Sequence, residues 1–65
     1  MQKDPNKSPY KIEYKVGDFK KDVGYNNKSF AFDAYDRILR DIRDYSQFAI
    51  KLYENGKLIK EEKSQ

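Results

Sequence analysis

The chain has no cysteine and no histidine. The first absence excludes disulfides and thiolate metal sites. The second removes the commonest metal ligand and the commonest general base. No apolar run approaches the roughly 20 residues of a membrane span, and no signal-peptide core is present. Without cysteine or an export signal, the expected setting is cytoplasmic, with no membrane partner. Phosphate loops, zinc spacings and nucleophile elbows are missing too. Asp18 with Asp22, and Asp33 with Asp36, are carboxylate pairs of a kind that suits a hard cation. Neither has EF-hand spacing, so no metal is expected. A pocket of the usual ligand size is hard to build in 65 residues. The composition therefore points away from an enzyme, a cofactor and a small-molecule substrate.

What is present is enough for one small domain. Hydrophobic residues make up 37% of the chain, and ten residues are Tyr or Phe. That aromatic area supplies a core, so the chain is not read as disordered. A domain this short buries only about 60% of its unfolded surface and is marginal on its own. With no disulfide or metal to help, self-association or a partner is what remains.

Residues 1–9, MQKDPNKSP, hold both prolines and read as a flexible N-terminal arm. YKIEYKV alternates strictly, with Tyr10, Ile12, Tyr14 and Val16 on one side and Lys11, Glu13 and Lys15 on the other. That pattern predicts a half-buried strand. GDFKKDVGYNN reads as a long connection over 17–27. KSFAF fits a short strand over 28–32 with Phe30 and Phe32 inward, or a first helical turn with Ser29 as N-cap. The strand is preferred, because Asp33 is a good N-cap and Asp36 sits at the capping-box position.

A helix is predicted over 33–46, from Ala34, Tyr35, Ile38, Leu39, Ile42 and Tyr45 at three- and four-residue spacing. Asn55-Gly56 between two apolar-rich runs is the strongest short-range mark of a two-residue hairpin. It places Glu54 across from Lys57, Tyr53 across from Leu58, and Leu52 across from Ile59. The tail from residue 63 is expected to fray. The predicted fold class is α+β: one domain over 10–62, about four largely antiparallel strands in the order β-β-α-β-β, with one helix on one face. Its core would hold Ile12, Tyr14, Val16, Phe30, Phe32, Ile38, Leu39, Ile42, Phe48, Ile50, Leu52 and Ile59.

The only arginines, Arg37, Arg40 and Arg43, recur every three residues on the predicted helix. They fan across its wet side, but Asp33, Asp36, Asp41 and Asp44 lie there as well. Asp33–Arg37, Asp36–Arg40, Arg37–Asp41 and Arg40–Asp44 are four apart, each pair worth roughly 0.2–0.5 kcal/mol. The stripe reads as a self-paired solvated face rather than a phosphate track.

The chain's net charge of +3 therefore sits elsewhere. If the helix covers one sheet face, the other shows Lys11, Glu13, Lys15, Lys51, Tyr53, Leu58, Lys60 and Glu62, with Ala31 and Ala49 among them. The expected partner-binding residues are Lys11, Lys15, Lys51, Tyr53, Leu58 and Lys60, with Tyr53 and Leu58 as the apolar centre. The same face also reads as a plain soluble surface, with charges that keep edges from pairing. A protein partner is the first expectation, and a second copy of the chain, giving a homodimer, is one candidate. Nucleic acid is the alternative: bases would stack on Tyr53, lysines would meet phosphates, and Lys3 and Lys7 would act as a tether. A small domain without chemical reagents, rich in Lys, Asn and Ile, suits a phage or mobile-element accessory protein that inhibits a host protein by covering its surface.

Overall fold

The computed structural model describes residues 8–64. The expected arm, with Lys3 and Lys7, lies outside them except for Ser8 and Pro9. Four strands and one helix follow in the predicted order: β1 (Tyr10–Val16), β2 (Phe19–Tyr25), α1 (Lys28–Ile42), β3 (Phe48–Glu54) and β4 (Lys57–Lys63). The strands form one antiparallel sheet, ordered β2-β1-β3-β4. No helix among the described residues is long and apolar enough to cross a membrane.

Both hairpins rest on two-residue turns that need unusual backbone. Asn55 and Gly56 have φ of 52° and 83°, the paired positive values of a type I′ turn. Tyr53 opposes Leu58 and Glu54 opposes Lys57, as the turn predicts. The other hairpin corrects the sequence reading. Residues 19–25 are the second strand, not a connection, and Gly17-Asp18 is its turn. Gly17 has φ of 58° and Asp18 is not in the positive-φ region, the pattern of a type II′ turn with glycine first.

The helix begins earlier than predicted. Asn27, not Asp33, is its N-cap: the Asn27 Oδ1 accepts from the backbone N–H groups of Ser29 (2.8 Å) and Phe30 (3.3 Å). These are two of the four donors a helix start leaves without internal acceptors. Residues 28–32 are thus the first turn and not a strand. Phe30, expected in the core, is 67% exposed, while Ala31 beside it is fully buried. The helix also ends sooner, at Ile42, and Tyr45 lies beyond it on the surface.

The core forms where α1 lies across β1, β3 and β2. Ile12, Ile50 and Leu52 of the two central strands meet Ala31, Tyr35 and Ile42 of the helix. Tyr10, Tyr14, Val16, Phe32, Ile38, Leu39 and Phe48 pack around them. Central strands buried on one face only read as alternation, which is why β1 and β3 are plain in the sequence. Beyond the expected end of the domain, Ser64 ties back to the start of β3. Its N–H donates to the Phe48 carbonyl at 2.9 Å, and its Oγ accepts from the Phe48 N–H at 3.1 Å. Of the tail expected to fray from residue 63, Lys63 ends β4 and Ser64 makes these bonds, while Gln65 lies outside the described residues.

One irregularity re-aims β4. Leu52 opposes Lys60, yet Tyr53 opposes Leu58, so Ile59 is the extra residue of a β-bulge. Side chains alternate along a strand, so one extra residue reverses the facing of everything beyond it. Ile59, predicted to be core opposite Leu52, is 36% exposed. Lys60 and Glu62, predicted on the open face, turn to the helix side opposite Leu52 and Ile50. The Lys60 Nζ lies 4.8 Å from the Tyr35 ring centroid and 5.4 Å from that of Phe32. Its ammonium thus meets two ring faces on the helix side.

Candidate functional site: the uncovered sheet face

With the helix on one side, the other side of the sheet has no covering element among the described residues. The strand register sorts its side chains into three rows across the strands. Gly24, Lys11, Tyr53 and Leu58 make the first. Asp22, Glu13, Lys51 and Glu61 make the second. Lys20, Lys15, Ala49 and Lys63 make the third. Successive rows are about 6.7 Å apart, two residues along a strand. The face is therefore banded: an apolar end, an acidic middle and a basic end.

At the apolar end, Tyr53 and Leu58 stand opposite each other, with Leu58 42% exposed. Lys11 is tethered between the first two rows. Its Nζ lies 3.1 Å from Glu13 Oε2 and 5.3 Å from the Tyr53 ring centroid. The Glu13 hydrogen bond raises the Lys11 pKa above its ordinary value. Behind the row, on the helix side, Tyr10 donates its hydroxyl to Glu54 at 3.2 Å. Burial first, and then Glu54, push the Tyr10 pKa up.

At the basic end, Lys15 and Lys20 are direct cross-strand neighbours. Like charges placed so are mildly destabilising. No acid within 4 Å offsets either ammonium among the described residues. Ala49 gives this row one small side chain, between Lys15 and Lys63 in the register. A shallow groove of about 230 Å³ runs here, lined by Glu13, Lys15, Lys20, Ala49 and Lys51.

Five of the six expected residues, Lys11, Lys15, Lys51, Tyr53 and Leu58, come together on this face. Lys60 does not, because the Ile59 bulge turns it over. Ala31, also expected here, is buried in the helix contact. Lys20, Asp22, Glu61 and Lys63 belong to the face and were missed. Lys20 and Asp22 sit on the unrecognised β2, and Glu61 and Lys63 lie past the bulge. The Gly17-Asp18 pair, a recognised hairpin dipeptide between Val16 and Phe19, was the signal for the first two.

The helix arginines are a separate surface. Asp33 and Arg37 pair at 3.1 Å. The other three expected pairs are not closed within 4 Å among the described residues. Comparison with known proteins finds no matching family model, curated protein or solved structure.

Proposed function

We propose that this chain is a non-enzymatic binding module whose uncovered sheet face docks on a protein and occludes it. The observation that supports this most is the banding of that face. The apolar Tyr53–Leu58 pair supplies an anchor of the kind that carries binding energy in a protein interface. The acidic and basic rows supply a charge pattern that selects a complementary surface and rejects others. The partner would place apolar side chains over Tyr53, basic ones over the middle row and acidic ones over the lysines. An accessory protein that inhibits a host protein by covering a surface is a role that fits.

The row of Lys15, Lys20 and Lys63 is the one observation that favours nucleic acid. The acidic row argues against it. A strand whose bases stack on Tyr53 and whose phosphates meet the lysines must cross Asp22, Glu13 and Glu61, which repel it. Single-strand platforms interleave aromatics with cations instead.

Affinity capture from lysate, with and without nuclease, tests the choice when wild type is compared with Tyr53→Ala/Lys51→Glu. The expected result is a protein retained after nuclease and moderate salt by wild type and lost by the double variant, whose circular dichroism is unchanged. Equal capture by the double variant refutes the face. Bound material that disappears with nuclease, or binding that falls steeply with salt, establishes the nucleic-acid reading in its place.

A further inference from the structure

The two sheet edges are built differently. The β4 edge carries the Ile59 bulge and five charged residues in seven, both devices that discourage strand addition. The β2 edge has neither protection in full. Its register with β1 runs unbroken from Phe19 to Tyr25. Phe19, Lys20, Lys21 and Asp22 are all exposed, Phe19 to 57%.

Hydrogen-bond parity says which backbone groups are on offer. Val16 and Phe19 flank a two-residue turn, so they form a hydrogen-bonded pair. Bonding to β1 then alternates through Phe19, Lys21, Val23 and Tyr25. The N–H and C=O groups of Lys20, Asp22 and Gly24 point away from the sheet.

From this we infer that β2 pairs antiparallel with β2 of a second copy, placing Lys20 opposite the second copy's Asp22. The two-fold axis is perpendicular to the sheet and passes between the two Lys21 residues. Charge complementarity selects this register. It makes two Lys20–Asp22 pairs on the open side and two Phe19–Val23 pairs on the helix side. Both kinds are favourable across strands, and the cost is one contact between flexible Lys21 side chains. Shifting by one step on each copy sets Asp22 against Asp22 and leaves Lys20 opposite Gly24. The dimer is an eight-stranded sheet with both helices on one side, and both banded faces become one continuous surface. Pairing through β2 holds whatever that face binds.

The chain lacks cysteine, so single cysteines report the register directly. At the axis, two Lys21 residues form a non-hydrogen-bonded pair with Cα atoms about 4.5 Å apart, within disulfide reach. Two Asp22 residues are then about 9 Å apart, beyond it. Lys21→Cys is expected to give disulfide-linked dimer on mild oxidation, and Asp22→Cys little. Sedimentation over a concentration series should show wild type dimerising and Lys20→Asp weakened on the order of tenfold or more. Lys20→Asp/Asp22→Lys should restore the dimer. Efficient cross-linking of Asp22→Cys but not Lys21→Cys overturns the register. A wild type that stays monomeric at every concentration overturns the dimer itself.

Discussion

Replacing Tyr35 by phenylalanine is predicted to stabilise the protein. Tyr35 is 1% exposed and is among the largest fully buried side chains. Its hydroxyl makes no hydrogen bond among the described residues. A buried polar group without a partner costs about 1–3 kcal/mol, and Tyr35→Phe removes it while keeping the ring against Lys60. A gain of about 1 kcal/mol raises the melting temperature of a domain this size by about 4–8 °C. Alkali separates the two proteins further. Burial, then the nearby carboxylates of Glu62, Asp36 and Glu61, pushes the Tyr35 phenol from its ordinary 10.0 up to about 12. Between those values the unfolded chain loses this proton while the folded chain keeps it, so folding stability falls as pH rises. At 1.36 kcal/mol per pKa unit, wild type loses about 2–3 kcal/mol more than Tyr35→Phe by pH 12. Tyr10 and Tyr25, also raised by burial, titrate in both proteins and cancel in the difference. The assay is urea unfolding at pH 7 and at steps above pH 9. A Tyr35→Phe protein less stable than wild type at pH 7 refutes the reasoning, since the hydroxyl would then have a bond partner.

Deleting Ile59 should leave the fold and the Lys60 contacts intact, because Leu58 and Lys60 already oppose Tyr53 and Leu52 on either side of it. Amide spectra that collapse on deletion would show that the bulge is required. Lys60→Ala removes two ammonium–ring contacts and should cost about 1–2 kcal/mol in chemical unfolding. No loss would mean that the ammonium is solvated rather than seated on the rings. Asn27→Ala removes the helix cap and should cost about 1 kcal/mol, whereas Asp33→Ala, inside the helix, should cost only its exposed pair with Arg37. The reverse ranking in thermal melts would restore the later helix start.

The sequence shows the parts of the fold that have a period, and hides those set by a single residue. Strict alternation marks β1, and Asn55-Gly56 fixes the β3–β4 turn and the first pairs beside it. Of Ser29 and Asp33, the helix starts weighed from the sequence, local preference favours Asp33, whereas the N-cap is Asn27, a candidate not considered there. Tertiary packing decides for Asn27, because the earlier start carries Ala31 into the sheet contact against Ile12 and Leu52. Phe30 and Phe32 are two apart, which suits a strand, but only Phe32 packs on the core. In β2 the alternation of Phe19, Val23 and Tyr25 is interrupted by Lys21, a long side chain that reaches solvent at an exposed edge. The bulge leaves no local trace. An apolar Ile59 beside a charged Lys60 favours the opposite facing, and only the rings of Tyr35 and Phe32 explain why the lysine turns in. That one residue decides which β4 side chains belong to the open face, so the candidate site was legible on the central strands and at Leu58 beside the turn, and not on β2 or past the bulge.

The most direct test of the docking face is an amine-reactivity footprint of the captured complex, read lysine by lysine by mass spectrometry. Lys11, Lys15, Lys51 and Lys63 are expected to lose reactivity on binding, while Lys28 on the helix side keeps its own. Protection of Lys28 with the sheet lysines still reactive would put the partner on the helix side and overturn the proposed docking face.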